Sequence, residues 1–348
     1  MSQTQKALFL ESEFGDFKLR ERNLPVVTSG HLLVRIEAVG LNPIDWKIQT
    51  YGTYLPLENY PAIFGLDISG VVVDVGEDVS GFAAGDRVVF QGIWDNDKAG
   101  YQHYTLADAA ITAKIPANIS FDEAASIPVA LASAASGLYL PAPHGAGRVA
   151  PFQDSTRGKD ANSPLVIFGG ATSVGQYIIQ LAKLSGFSPI IATASLKHDA
   201  YLKSLGATHV LDRNLPTTDL AAEVAAITPE PIKLIFDAIS RPETQQSAYS
   251  LVADGGHVFV TLPPVKEIQP VEGKGITRVF GQFTFPHSRE LGVQLYGKLA
   301  QLLEEGLIKP NRVEVLPDGL NGVVAGLERL KSDQVSGVKL IAHPQQTA

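Results

Sequence analysis

A short apolar run drops into a glycine-rich turn and then into a helical pattern at Leu165-Val-Ile-Phe-Gly-Gly-Ala-Thr-Ser-Val-Gly175, continued by Tyr177-Ile-Ile-Gln-Leu-Ala-Lys183. Strand, turn and helix in that order leave few folds open. A helix starting in the turn aims free backbone N–H groups and the positive end of its dipole into it, which favours a phosphate or pyrophosphate. Glycine turns also occur as plain tight turns, so the context carries the reading. A second apolar run, Pro189-Ile-Ile-Ala-Thr-Ala194, follows at the spacing of a βαβ unit, where a dinucleotide site places the residue that reads the adenosine ribose.

That position carries no carboxylate and is followed by Ser195-Leu-Lys-His198. An acid would hold the ribose 2′-hydroxyl, whereas hydroxyl, ammonium and imidazole groups suit a 2′-phosphate, so NADPH is expected over NADH. A compatible local role for Ser195 is to cap the next helix, with Asp199 in its first turn.

Composition bounds the rest. The 348 residues suffice for two domains, and 45% hydrophobic with 18% charged content is that of a folded globular chain. A net charge of −8 without a basic run argues against nucleic acid and anionic membrane as partners, leaving small molecules. The absence of cysteine excludes disulfides, thiolate metal sites and cysteine nucleophiles. With no secretory signal at the N-terminus, the expected setting is cytoplasmic. Residues 124–143 are uncharged, but Pro128, Pro141 and Pro143 interrupt them and the small residues contribute little transfer energy; a buried helix is expected, not a membrane span.

Along the chain the pattern changes once. The first part is β-rich, with Leu32-Leu-Val-Arg-Ile-Glu-Ala-Val-Gly40, Ile68-Ser-Gly-Val-Val-Val-Asp-Val-Gly76, the run ending at Phe90, and residues 107–116 as one further strand. From about Pro128, strands at 165–168, 190–193, 210–211, 234–238 and 257–262 alternate with helices, which implies a parallel, doubly wound sheet. Residues 140–163, rich in Pro, Gly, Asp and Asn, are expected to form a long surface loop at the domain junction. A helix at 295–305 and a strand at 337–342 close the chain.

Several separated motifs carry a resemblance. Gly40-Leu-Asn-Pro-Ile-Asp-Trp-Lys47, Gly65-Leu-Asp-Ile-Ser-Gly-Val-Val-Val-Asp-Val-Gly76 and Gly85-Asp-Arg-Val88, ahead of the nucleotide turn, resemble the medium-chain dehydrogenase/reductase superfamily over nearly the whole chain. Gly169-Gly-Ala-Thr-Ser-Val-Gly175, Leu184-Ser-Gly-Phe187, Ser204-Leu-Gly-Ala207, Gly255-Gly-His-Val258 and Val335-Ser-Gly-Val-Lys-Leu340 are similar to the fungal zinc-independent enoyl reductases, trans-acting partners of polyketide synthases, and their quinone-oxidoreductase relatives. The resemblance implies an α/β fold with two parts: a GroES-like β-rich catalytic domain, 1–130 completed by 282–348, and a Rossmann doubly wound NADP-binding domain, 131–281.

Zinc-dependent members of that superfamily place a cysteine near Asn42 and Gly-His-Glu at the position of Gly65-Leu66-Asp67; both patterns are missing, and the eight histidines show no ligand pairing. Metal-free chemistry is expected, and alcohol oxidation, which needs a Lewis acid, is disfavoured. The reaction open to a reduced nicotinamide is then conjugate addition of hydride to an activated C=C bond, with the adjoining carbonyl or thioester taking the charge.

By the same resemblance Asn42, Asp45, Trp46 and Lys47 lie at the reactive end of the cofactor, although Asn-Pro is also a turn signal and Trp46 a good core aromatic. Gly170, Ala171, Thr172, Ser173 and Val174 line the pyrophosphate, Ser195, Lys197 and His198 the 2′-phosphate, Leu262 and Pro263 back the nicotinamide, and Gly337 and Val338 close the site; Ser133 joins this set. Arg213 stands where relatives carry an adenine-stacking tyrosine, and is either a base-stacking group or an exposed arginine. The enolate must be protonated: Tyr54, in Gly52-Thr-Tyr-Leu-Pro56, resembles the tyrosine of some enoyl thioester reductases, with Lys47 and solvent as rivals. The expected substrate is a small or carrier-bound unsaturated ketone, aldehyde or thioester, with a polyketide synthase as possible partner. An NADPH quinone oxidoreductase and a non-catalytic NADPH-binding protein are the alternatives. Pro263-Pro264 after 257–262, read as a sheet edge, points to a monomer.

Overall fold

The computed structural model describes residues 4–52 and 57–348. The chain forms two compact units, one of Met1–Val129, Tyr296–Glu305 and Pro310–Ala348, the other of Ala130–Leu295 and Gly306–Lys309.

The first unit is built on strands. β1 (Thr4–Leu10) pairs antiparallel with β2 (Phe17–Asn23). β3 (His31–Gly40) is the longest strand, and α1 (Pro43–Tyr51) follows it. The short β4 (Ala62–Ile63) returns to β1. β5 (Asp67–Val75) lies against β3, β6 (Arg87–Gln91) against β5, β7 (Tyr104–Asp108) against the first half of β3, and β8 (Thr112–Lys114) against β6. Their branched and aromatic residues, among them Leu32, Val34, Ile36, Ile68, Val72, Val88 and Phe90, make one core. The single strand expected over 107–116 is two. The Asp108 carboxylate accepts the Ala110 N–H at 3.1 Å and turns the chain through a 3-10 segment, Ala109–Ile111, before β8 begins. Two brief elements, α2 (Phe121–Ala124) and the start of α3 (Pro128–Tyr139), lead out. The uncharged run around α3 is a buried helix, and among the described residues no helix is long and apolar enough to cross a membrane.

The second unit is the parallel sheet. In chain order it runs β9 (Leu165–Phe168), α4 (Ser173–Ser185), β10 (Ile190–Ala194), α5 (Asp199–Leu205), β11 (His209–Asp212), α6 (Thr217–Ile227), β12 (Leu234–Asp237), α7 (Pro242–Leu251), β13 (His257–Val260) and β14 (Gly275–Arg278), then enters α8 (Pro286–Glu304). Six parallel strands stand in the order β11-β10-β9-β12-β13-β14. Every residue of β9, β10 and β12 is buried, as in strands covered on both faces. β13 is interior, because β14 pairs along its whole length. The edge expected at 257–262 is therefore misplaced, and the inference from Pro263-Pro264 to a monomer loses its premise. The long segment 140–163 is tied down within this unit: Phe152 packs edge-on to Tyr139 at 5.7 Å, and Arg148 pairs with Asp160 at 3.2 Å.

The chain then completes the first unit with β15 (Val313–Val315), α9 (Gly322–Lys331) and β16 (Lys339–Ala342). β16 pairs with the end of β3, setting Ile341 opposite Gly40 and Ala342 opposite Val39.

Candidate functional site

In the parallel sheet the chain leaves β9 towards β10 on one side and returns to β12 on the other. The topological switch thus lies at the carboxyl ends of β9 and β12, where such sheets bind ligands. The glycine turn stands there. Gly169 has φ 79°, and the Gly169 and Gly170 N–H groups donate to the Thr193 carbonyl at 3.1 and 2.9 Å. Thr172 caps α4: its hydroxyl accepts the Gly175 N–H at 3.0 Å and donates to the Gly169 carbonyl at 2.9 Å. A Cβ at Gly175 would run into the Gly169 carbonyl oxygen, so only glycine lets the helix sit this close to the strand. Ala171, Thr172, Ser173 and Val174 are half-buried around the first turn of α4, whose leading N–H groups have no intrahelical acceptor. This cradle fits the pyrophosphate of a dinucleotide.

At the end of β12, Asp237 is fully buried; its carboxylate accepts N–H bonds from Ile239 and Ser240 at 2.9 and 2.8 Å and the Thr244 hydroxyl at 2.7 Å. Burial pushes its pKa up to about 6 against those bonds. Ser240, at φ 56°, accepts the Thr261 N–H at 2.7 Å, while the Gln245 amide donates to the Ser240 and Pro263 carbonyls at 3.0 and 3.1 Å. The segment carrying Leu262 and Pro263 is thereby bound to the switch point. Sequence reading missed Asp237, Ser240 and Gln245; a lone carboxylate ending an apolar strand was the available signal.

After β10, Ser195 is half-buried and Lys197 exposed, whereas His198 is buried. Ser195 makes no side-chain cap bond, and α5 starts beyond it at Asp199, so the capping role expected of Ser195 is not found. Arg213 is exposed, its backbone N–H held by the Ala194 carbonyl at 3.0 Å. Ser133 is buried so tightly under the Gly281 backbone that a Cβ there would strike its hydroxyl.

The first unit holds a second polar cluster. Asn42 and Pro43 form no free turn: Asn42 is the N-cap of α1 and Pro43 its first residue, where a missing N–H is harmless. Asp45, with no exposed surface, accepts the Asn42 backbone N–H at 3.0 Å and the Tyr101 hydroxyl at 2.8 Å through Oδ2, while its Oδ1 has no partner among the described residues. Burial raises Asp45 to about 6, opposed by the Tyr101 and Asn42 bonds and the charge of Lys339; burial and the Asp45 charge push the Tyr101 hydroxyl well above its usual range. The Asn42 side chain turns to Asp67 and Lys339. Its Nδ2 donates to Asp67 Oδ2 at 2.9 Å and its Oδ1 accepts from Lys339 Nζ at 2.7 Å. Lys339 Nζ lies 2.6 Å from the same Asp67 oxygen, and Asp67 Oδ1 accepts the Val129 N–H at 2.6 Å. Lys339 follows Gly337, at φ 73°, and Val338. On the same helix Trp46 and Lys47 are half-buried in a different setting, with Lys47 Nζ 5.5 Å from the Trp46 ring centre. Tyr54 lies outside the described residues.

Two family models match the chain, the alcohol dehydrogenase GroES-like domain over residues 28–117 and the zinc-binding dehydrogenase over 173–276. A trans-enoyl reductase of Aspergillus sclerotiorum is 32% identical over 93% of this chain and 95% of its own, and one of Alternaria alternata is 31% identical over 97% and 98%. An alcohol dehydrogenase superfamily protein from Novosphingobium aromaticivorans has a similar solved structure, with a TM-score of 0.76 at 25% identity over 97% of this chain and 99% of that one. The zinc in the second model's description does not fit here. Asn42, the buried aliphatic Leu66 and Asp67 supply neither thiolate nor imidazole, and an ammonium already rests on the carboxylate. Among the described residues no three His, Cys, Asp or Glu come together as a metal site.

Proposed function

The chain belongs to the medium-chain dehydrogenase/reductase superfamily, in the branch of the fungal trans-enoyl reductases, and from that premise we propose that it reduces an activated C=C bond with NADPH, without metal. The observation that supports this most is the glycine cradle at the switch point of the parallel sheet in a chain similar to trans-enoyl reductases along nearly its whole length. When bound, the cofactor supplies hydride to the β-carbon of an enone, enal or enoyl thioester.

The chain's own residues bind and orient. The first turn of α4, from Ala171 to Val174, holds the pyrophosphate, and Ser195 and Lys197 take the 2′-phosphate; the buried His198 leaves that task to them. Leu262 and Pro263, bound to β12 through Gln245 and Ser240, back the nicotinamide. Asn42, Trp46 and Lys47 border its reacting end, and Tyr54 or Lys47 protonates the enolate left on the substrate. Carrier-bound acyl chains delivered by a polyketide synthase are the substrate class in this reading.

NADPH oxidation with a panel of enones, quinones and enoyl thioesters tests it. Turnover on enoyl thioesters that persists after exhaustive chelation is expected. Turnover confined to quinones would make the protein a quinone oxidoreductase, and tight NADPH binding with no turnover on any class would make it a binding protein.

A further inference from the structure

We infer that the Lys339 ammonium is a built-in cation that positions Asn42 for the reaction. The positioning role rests on the reading that Asn42 borders the reacting end of the cofactor; the buried cation and its two contacts rest on geometry alone. Lys339 is 4% exposed, Asn42 5% and Asp67 not at all, a setting in which a lone charge would be strongly disfavoured. Two of the three ammonium donors are directed at 2.6 Å to Asp67 and at 2.7 Å to Asn42, and the Asn42 amide closes the triangle by donating to Asp67 at 2.9 Å. The amide therefore has a single orientation, oxygen to the cation and nitrogen to the carboxylate.

The path of the lysine is built as well. Its stem crosses Gly40, where a Cβ would come within 2.9 Å of the Lys339 Cε and 3.1 Å of the Asp67 Cβ. Val129 N–H at 2.6 Å on the other Asp67 oxygen fixes the carboxylate from its far side. A divalent ion entering here would have to expel the ammonium and then accept an amide oxygen and one carboxylate as its whole ligand set, too few and too hard for zinc. Lys339 acts through Asn42 and touches no reacting atom, which makes it a positioning residue.

Removing the side chain should leave a cavity shaped for a small ammonium ion. The test uses full-length Lys339→Ala with methylammonium chloride, reading both the thermal midpoint and NADPH oxidation with an enoyl thioester. Lys339→Ala is expected to melt lower than the parent and to lose about tenfold or more in kcat, with KM for NADPH changed by less than about threefold. Methylammonium at about 0.1 M should restore most of both, whereas equal sodium chloride or tetramethylammonium chloride should not. Lys339→Met, which fills the space without charge, should not respond to methylammonium.

A Lys339→Ala kcat within about twofold of the parent overturns the positioning role. Equal recovery in sodium chloride overturns the cation site. Should Lys339→Ala fail to fold, Lys339→Met/Asp67→Asn removes charge and counter-charge together; parental kcat in that variant overturns the proposal and low kcat in a folded protein supports it. If the parent itself turns over no substrate, the enoyl-reductase reading fails, while recovery of the Lys339→Ala melting point by methylammonium still decides the cation site.

Discussion

Tyr101 donates its hydroxyl to Asp45 Oδ2 at 2.8 Å, joining two fully buried residues that lie 56 positions apart. The bond opposes, without cancelling, the desolvation that lifts Asp45 to about 6. A carboxylate raised in the folded state makes stability greatest below its unfolded pKa of 3.8 and removes it as pH rises through about 6. Asp237 has the same sign and the same range. Each therefore withdraws up to about 3 kcal/mol across that window, at about 1.4 kcal/mol per pH unit. Asp45→Asn retains an oxygen for Tyr101 and Asn42 but does not titrate. Its melting temperature should fall less steeply than the parent's between about pH 4 and pH 6. Parallel curves for the two proteins would show that Asp45 does not titrate there.

Cofactor choice should follow Lys197. A charge-assisted bond to the 2′-phosphate is worth about 1.5–3 kcal/mol, so NADPH should be preferred over NADH by about a hundredfold. In Lys197→Ala the ratio of the two kcat/KM values should drop by about tenfold or more. An unchanged ratio would remove Lys197 from the phosphate site.

Two glycines should respond in opposite directions to alanine. At Gly175 the added methyl meets the Gly169 carbonyl oxygen, and separating α4 from the turn should lower stability by about 1–3 kcal/mol and weaken NADPH binding at least about tenfold. At Gly297, inside α8, nothing lies within 4 Å of the added carbon. There alanine should add about 0.5–1 kcal/mol, because glycine is the more flexible residue in the unfolded chain. Denaturation midpoints and cofactor titration of the two variants check the contrast.

Tyr54→Phe keeps the ring and removes the proton donor. If the phenol protonates the enolate, turnover should fall by about a hundredfold under conditions where chemistry limits the rate. Unchanged turnover would shift the role to Lys47 or water.

The parallel sheet was legible because its central strands are short, mostly apolar runs between turn residues, and the glycine turn because its spacing has few other uses. β14 escaped notice: Gly-Ile-Thr-Arg is half-buried and has no apolar run, so the sheet edge was assigned one strand too early. α1 was hidden behind an ambiguity, since Asn-Pro opens a turn and Pro at the first helical position opens a helix with the same two residues. Of the buried cluster, Asn42 and Asp45 were visible through their motif, but Lys339 was not. It is 297 positions from Asn42, a separation no local pattern spans. A lone lysine within an otherwise apolar strand was the available sign, because such a side chain is almost never buried without a carboxylate to meet it.

The pairing of β16 with the end of β3 also sets an order of assembly during synthesis. The second unit is continuous from Ala130 to Leu295 except for Gly306–Lys309, so its sheet is complete well before translation ends. The first unit begins at the amino terminus and still waits for Lys339, the residue that neutralises Asp67. A chain ending before β16 would hold a finished parallel sheet and a first unit with a buried, uncompensated Asp67 carboxylate. The Asp67 carboxylate therefore has no cation beside it until β16 takes its place against β3.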